Sequence, residues 1–485
     1  MPQMLNKISS RTLHYNTVVV GSGLAGLTAA LKLSEKGFSV ALVEKSAFLG
    51  GNSIKASSGI NGVPTRYQNR LEGDSPARFV ADTTISGKGL CNEKLVDILA
   101  TDSASAIDWL AGEVGVDLSV VSRLGGHSFA RTHRGSGKLP PGFAIISALS
   151  KRIKESPNVE VLTSAKLKGF LKKDKHVTGV ILDRNDDTGA FSEERLVADN
   201  VVLATGGFSA DSTGSDSLIK TYRPDLLSFP STNGQQTTGD GHKLTAHELG
   251  AKLVQMEQIQ VHPTGFIQLK DPSTITSKWK FLCGELIRGI GGILVSASTG
   301  KRFVNELTTR DDVTAAIMEN CGKSHVAIVI VGAEDYQKAA SHIDFYVSQS
   351  LMFKGNEEDI CKKLSEVDAE YSCCESAIET SLSQYNTDIV TRHDSLGRTH
   401  FGNQIKGPFY FGFVTPVVHF TMGGVETNEH SQIIKENGRA IENVYAIGEL
   451  SAGVHGANRL AGSSLLECVV FGSRVAERIS NTSAE

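Results

Sequence analysis

Residues 18–45, VVVGSGLAGLTAALKLSEKGFSVALVEK, decide the fold. The apolar run at 18–20 enters a glycine turn, an amphipathic segment ends at Gly37, and a second apolar run closes on Glu44 and Lys45. That order predicts a β-α-β unit. Gly21 permits the tight turn, Gly23 lets the backbone approach a pyrophosphate, and Gly26 lets helix pack on strand, while the helix N-terminus offers amides and a positive dipole end. Ser22 and Ala25 in the same turn, and Lys45 beside the acid, are counted with them as cofactor contacts. Glu44 lies near the ~20-residue distance at which an acid accepts a ribose hydroxyl. A lone GxGxxG also marks ordinary turns, but strand before, helix after and acid beyond make a dinucleotide site the reading here. Which dinucleotide and which chemistry stay open.

A chain of 485 residues suits two or three domains. Its 40% hydrophobic and 21% charged content is that of an ordinary globular protein. A formal net charge of -4 gives no bulk reason to expect nucleic acid or an acidic membrane surface as partner. No apolar run reaches the ~18 residues of a membrane helix. The seven cysteines are scattered, with only Cys373 and Cys374 adjacent and no C-x-x-C, so no metal site, attached haem or disulfide framework is expected. A reducing compartment follows. The cytoplasm is expected, with the mitochondrion as alternative because residues 1–15, read as a frayed terminus, carry Lys7 and Arg11 and no acid.

Forty-nine glycines beside 12 prolines point to tight turns and close backbone approaches, so glycine clusters guide the rest. GGNSIKASSGING at 50–62 is too rich in small residues to build a core. It reads as backbone wrapped round a flat ligand through Gly51, Asn52, Ser53, Ser58, Gly59, Ile60 and Asn61, with a flexible loop as alternative. Residues 75–114 have helical spacing and read as packing. GGHSFARTHR at 125–134 reads equally well as a solvated basic loop or a functional one. Strands are expected at 159–162, 177–182 and 195–197. A further buried strand ends at Thr205 and Gly206, and NVYAIGE at 443–449 repeats that plan up to Gly448 and Glu449. Two such strands sharing a sheet with the opening unit favour FAD over NAD, since a flavin coenzyme is long enough to need distant segments. GVHGANRLAGSSL at 453–465 is another small-residue wrap, containing Arg459, Ser464 and Leu465.

The middle is an inserted domain. It opens after GQQTTGDG at 234–241, where Asp240 is a further cofactor candidate, includes QVHPTG at 260–265, and runs through an acid-rich helical stretch over 334–384. The expected class is α/β: a Rossmann-like FAD-binding domain over 1–255 and 411–485, split by an α+β capping domain at 256–410.

Taken together, GGNSIKASSGINGV, GGHSFARTHRGSGKLPPGF, TNGQQTTGDG, QIQVHPTGF, GKRFVNELTTRD, VTPVVHFTMGG and GVHGANRLAGSSLLECVVFG resemble the soluble fumarate reductases of the FAD-dependent family that includes succinate dehydrogenase flavoproteins, flavocytochrome fumarate reductases and aspartate oxidase. The resemblance is closest to the haem-free fungal type and runs over nearly the whole chain. It implies a mobile cap on a split FAD domain, with the active site at their junction. It also implies a soluble monomer that reduces fumarate to succinate by hydride transfer from reduced FAD N5. Motif by motif, His262, His419 and Arg459 would bind the dicarboxylate and Arg310 would protonate it. Glu285 and Arg288, in GELIRG, would form the proton relay to Arg310.

That chemistry suits the residue types. A dianion needs planar cationic clamps, and the arginine fork matches a carboxylate with two parallel hydrogen bonds. Fixing both carboxylates turns the transfer into an effectively intramolecular step. Arginine is an unusual acid because its pKa exceeds about 12, and it serves only if Glu285 reprotonates it at once in a desolvated site. The residues alone favour a carboxylate clamp or a structural pair of Arg310 with Asp311 or Glu306; the resemblance favours the acid role. His262 and His419 could be satisfied core histidines, although Pro263 and the turn at 421–424 constrain the backbone beside them. Arg459 could instead pair with the FAD pyrophosphate.

Three departures matter. Covalently flavinylated relatives have a histidine about where Asn52 falls, so this FAD is expected to be non-covalent. Gly284 stands where some relatives have a substrate-binding threonine, so one hydrogen bond is missing or comes from a backbone amide. Haem motifs and a second nucleotide fingerprint are lacking, so electrons come from an external donor, with free reduced FAD or FMN as candidates. The alternatives are an FAD enzyme for another unsaturated acid or a ketosteroid, and a non-enzymatic flavin-binding sensor.

Overall fold

The computed structural model describes residues 13–69, 71, 73–185, 191–367 and 375–483. Cys373, Cys374 and the basic residues Lys7 and Arg11 lie outside them. The opening unit forms as its pattern predicts: β1 is Leu13–Val20, α1 is Leu24–Glu35 and β2 is Val40–Val43. β1 starts before the apolar run. Leu13 pairs with Leu196, and the Tyr15 hydroxyl donates to Glu160 at 2.5 Å, so residues 13–15 belong to an ordered strand and not to a frayed end.

All four residues of β2 are buried, as a parallel sheet covered on both faces requires. β1 lies between β2 and Phe191–Leu203, parallel to both, and Ala440–Ala446 joins in parallel beyond, with Val444 opposite Val201. The two distant glycine-ended strands therefore stand side by side on the sheet of the opening unit. Residues 195–197 and 201–203 belong to one strand, not two. The first half of Phe191–Leu203 pairs antiparallel with His176–Asn185 and its second half pairs with β1, and where the β1 register skips Asp199 the Asn443 side chain donates to its carbonyl at 2.8 Å. The C-terminal helix Ser463–Thr482 packs beside α1 on one face of this sheet.

A second sheet is wholly antiparallel, in the order Ile259–Phe266, Phe409–Thr421, Ala327–Val331, Ile293–Ser296. Phe409–Thr421 carries it across residue 410, after which Gly424–Val425 pairs back with Leu253–Val254. The stretch 334–384 is helical over Ala340–Ser348, Glu357–Val367 and the start of Glu375–Thr391, but Phe353–Gly355 is an edge strand. Phe353 sits opposite Phe411, ring centroids 5.8 Å apart, so cross-strand aromatic packing overrides the helical pattern there. Ile259–Phe266 and Phe409–Thr421 bring His262 and His419 to adjacent strands, with a register shift between His262 and Gly265 beside Pro263. Irregularities of this kind re-aim a side chain. No helix among the described residues is long and apolar enough to cross a membrane, and no cluster of His, Cys, Asp or Glu among them could hold a metal ion.

Candidate active site

A cleft of about 660 Å³ runs from the glycine turn past Glu44 and the 51–59 loop to Arg310, His419 and Arg459. Gly21 and Gly26 bring α1 onto β1. A Cβ on Gly26 would lie 1.8 Å from the Gly21 carbonyl oxygen, and one on Gly21, where φ is +104°, 2.2 Å from that of Ala204. Gly23 at the N-cap of α1 has no side chain to cap it and the first turn holds no acid, while the Ser53 hydroxyl accepts the Leu24 amide at 3.1 Å; the positive end of the helix faces the cleft and suits a pyrophosphate. Glu44 Oε2 accepts from the Ser22 amide (3.0 Å) and hydroxyl (2.6 Å), and Oε1 accepts from the Ser46 amide at 2.8 Å. Oε2 is thereby filled, and Oε1 keeps acceptor capacity for a ribose hydroxyl. The wall therefore fits FAD.

Of the cofactor residues expected from sequence, all line this cleft except Gly26, Ile60 and Asn61. Gly26 serves the helix–strand contact. Ile60 is fully buried, and Asn61 Nδ2 donates to the Ala461 carbonyl (2.9 Å) and the Ser463 hydroxyl (3.0 Å), so it holds the entry to the C-terminal helix from behind the wall. Lys45 Nζ meets Asp240 Oδ2 at 2.8 Å across the cleft. Asn52 donates to Asn233 Oδ1 (2.6 Å) and Thr237 Oγ1 (2.7 Å) and accepts from the Gly234 amide (3.1 Å), so its amide pins the 233–237 loop. The GGHS segment is no solvated loop: Arg131 and His133 are fully buried, with Arg131 paired to Asp74 and Asp82 at 2.8 and 2.6 Å.

At the far end, Arg310 opens the helix Arg310–Asn320, and Glu285 precedes the short helix Leu286–Gly289. Arg310 Nε donates to Glu285 Oε2 at 2.8 Å, and Arg288 Nη2 lies 3.6 Å from the same oxygen. Glu285 Oε1 accepts from the Gly125 amide at 2.7 Å. Burial raises the Glu285 carboxyl, but Arg310 and Arg288 more than offset it and hold it below the usual carboxylate range. The structural pairings weighed for Arg310 do not occur, because Asp311 pairs with Lys88 and Glu306 pairs with Arg302 and Arg398.

His262 and His419 pack edge to face with centroids 5.2 Å apart at 63°. His419 lines the cleft and its Nδ1 meets Thr232 Oγ1 at 2.7 Å. His262 lies behind it. Its Nδ1 accepts the Thr264 amide at 3.2 Å, which assigns the ring proton to Nε2, and Nε2 has no protein partner. Burial, reinforced by Arg310, pushes both imidazoles well below 6.5, so they are neutral near pH 7. Arg459 is 3% exposed with Nε unpartnered, and burial followed by repulsion from Arg310 lowers it to about 9. Nearby Glu449 is raised to about 7, chiefly by burial.

The Gly284 amide donates to the Tyr346 hydroxyl at 3.1 Å, so it is already engaged by the protein and is not the substitute for the absent threonine. A Cβ at Gly284 would meet Ser57 Oγ at 2.8 Å, which explains why glycine stands there. Gln260 went unread in sequence. Its Oε1 accepts from Arg310 Nη1 (2.9 Å) while its Nε2 donates to Asn458 Oδ1 (2.8 Å) and the Arg459 carbonyl (3.0 Å). Strand alternation would have found it, two residues before His262. No sequence signal joins Gly125 to Glu285.

The family model for an FAD binding domain matches residues 16–465. The chain is 46% identical over 482 residues to Fumarate reductase 1 of Saccharomyces cerevisiae, covering 96% of this chain and 98% of that protein. It is 38% identical to the fumarate reductase of Schizosaccharomyces pombe, covering 96% and 89%. Among solved structures, the open conformation of a flavocytochrome c3 fumarate reductase matches with a TM-score of 0.75 and 30% identity, covering 98% of this chain and 79% of that one. A ketosteroid dehydrogenase from Rhodococcus jostii, at 20% identity and a TM-score of 0.68, shares the fold.

Proposed function

On the premise that this chain belongs to the FAD-binding family that includes the fungal fumarate reductases, we propose that it reduces fumarate to succinate at the end of the cleft where Arg310, His419 and Arg459 meet. It is an FAD-dependent oxidoreductase acting on CH–CH bonds. One observation carries the substrate reading. Arg288, Arg310 and Arg459 are all buried there, and among the described residues only Glu285 forms an ion pair with any of them. Buried charges need partners, and a dicarboxylate brings two negative charges.

Bound FAD, held non-covalently on the wall from the glycine turn to Ser464 and Leu465, supplies the hydride. The protein residues do the rest. Arg459 takes one carboxylate with its fork, the neutral imidazole of His419 donates from its Thr232-anchored ring, and His262 backs it edge to face. Arg310 Nη2, without a protein partner among the described residues, holds the proton for the substrate carbon, while Nε stays on Glu285. Glu285 Oε2 faces both guanidinium groups, so the carboxylate takes a proton from Arg288 and passes it to the deprotonated Arg310. Loss of a proton from a guanidinium is tolerable only because the site is dry and the replacement is one hydrogen bond away. Electrons reach the flavin from outside, with reduced free flavin as the donor class.

The test is anaerobic. Purified holoenzyme is reduced, and fumarate or the monoacid crotonate is added while the flavin spectrum is followed. Reoxidation by fumarate and not by crotonate is expected; a reduced flavin that persists in fumarate rules the reading out.

A further inference from the structure

Arg459 is buried yet ion-paired to no carboxylate among the described residues. Its Nη1 donates to the Leu460 carbonyl at 3.3 Å and the Ser464 hydroxyl at 3.2 Å. What lies against the guanidinium is the ring of Phe420, whose centroid is 4.3 Å from Cζ. Phe420 is itself braced. The His455 ring meets it at 5.6 Å and 75°, and His455 Nε2 bonds Glu467 Oε2 at 2.9 Å on the C-terminal helix. On either side of Phe420 in the strand, His419 is tied to Thr232, and Thr421 gives its amide and hydroxyl to Glu449.

An arginine that must capture an anion in a buried site faces a conflict. A protein carboxylate would orient it and offset its burial, but would also compete with the ligand for the same fork. An aromatic face attracts the cation through its quadrupole and leaves the N–H groups free. We infer that Phe420 is a positioning residue that holds Arg459 charged and aimed at a substrate carboxylate through a cation–π contact in place of an ion pair. This rests on Arg459 being the carboxylate clamp. Phe420 stands opposite Gln260 across the strand pair, and Gln260 Oε1 accepts from Arg310, so a change confined to the ring face is the variant that separates the clamp from the relay. The contact also opposes the tendency of burial and Arg310 to discharge Arg459.

Fluorinated phenylalanines at position 420 weaken the ring's negative face stepwise at nearly constant size. In holoenzymes carrying mono-, di- and trifluorophenylalanine, the succinate Kd by calorimetry and the fumarate KM are expected to rise in step. The full series should reach about three- to thirty-fold, with kcat nearly unchanged. Phe420→Leu should match the end of the series and Phe420→Tyr should restore wild-type binding. A flat Kd across the series, or a loss confined to kcat, overturns the proposal. In that case wild-type reoxidation by fumarate still upholds the parent reading. A wild type that neither binds succinate nor is reoxidised by fumarate overturns both.

Discussion

Two clusters of buried arginines sit in this molecule, and they are balanced differently. In one, Arg302 makes hydrogen bonds of 2.7 to 3.0 Å to Glu306 and Asp394, and Arg398 adds bonds to Glu306, Gly292, Arg288 and His400. Burial opposes the Arg302 charge, yet Glu306 and Asp394 more than offset it and raise its pKa. At the cleft, Arg459 has no carboxylate on its fork and is lowered to about 9. The same residue type is thus neutralised by carboxylates in one place, and in the other left with N–H groups able to meet the anion proposed above.

The largest break in the comparison comes from removing the proposed proton donor. Arg310→Ala should lower kcat about a thousand-fold, with flavin content and succinate binding largely kept; stopped-flow reoxidation and a succinate titration check this. Next, Glu306→Ala leaves two buried guanidinium groups short of a partner and should cost about 3–5 kcal/mol of stability in denaturant unfolding. Glu285→Gln keeps the shape and the hydrogen-bond acceptor but strands the charges of Arg288 and Arg310, so stability should fall in the same unfolding assay and, unlike Glu306→Ala, kcat should fall with a changed pH–rate profile.

A smaller effect separates the clusters by ligand. Succinate at a hundred times its Kd should stabilise the holoenzyme by about 2.7 kcal/mol. Arg459→Met should abolish that gain while the ligand-free variant is at least as stable as wild type, since it no longer buries an unpaired charge. Thermal shifts with and without succinate decide it. The smallest effect is on pH. Glu449 has its folded pKa raised to about 7, so the native state binds more protons than the unfolded chain above the ordinary carboxylate pKa. The stability it contributes is full below about 4.3 and is lost as pH rises through about 7. Glu449→Gln should therefore gain on wild type between those limits, and equal pH dependence of their melting curves would exclude this.

Much of this was legible because it is local. The glycine turn, the acid at the end of β2 and the burial of both parallel strands follow from spacing, and Arg310, His419 and Arg459 stood in motifs that reach the cleft wall. Ile60 and Asn61 were misplaced because small residues that wrap a ligand and small residues that pack behind it look alike in sequence. Gln260 was readable by strand alternation and was passed over. The Gly125 amide on Glu285 and the Phe420 ring under Arg459 were not readable at all, since each joins segments far apart in the chain.

The chain by itself determined a dinucleotide-binding β-α-β unit and the set of groups able to handle an anion, because backbone conformation and hydrophobic period are dictated by neighbours a few residues away. Tertiary structure alone decided which arginines are neutralised and which are left waiting. Charge balance in a buried site depends on distances between elements remote in sequence, and a few ångströms there separate a structural ion pair from a ligand clamp.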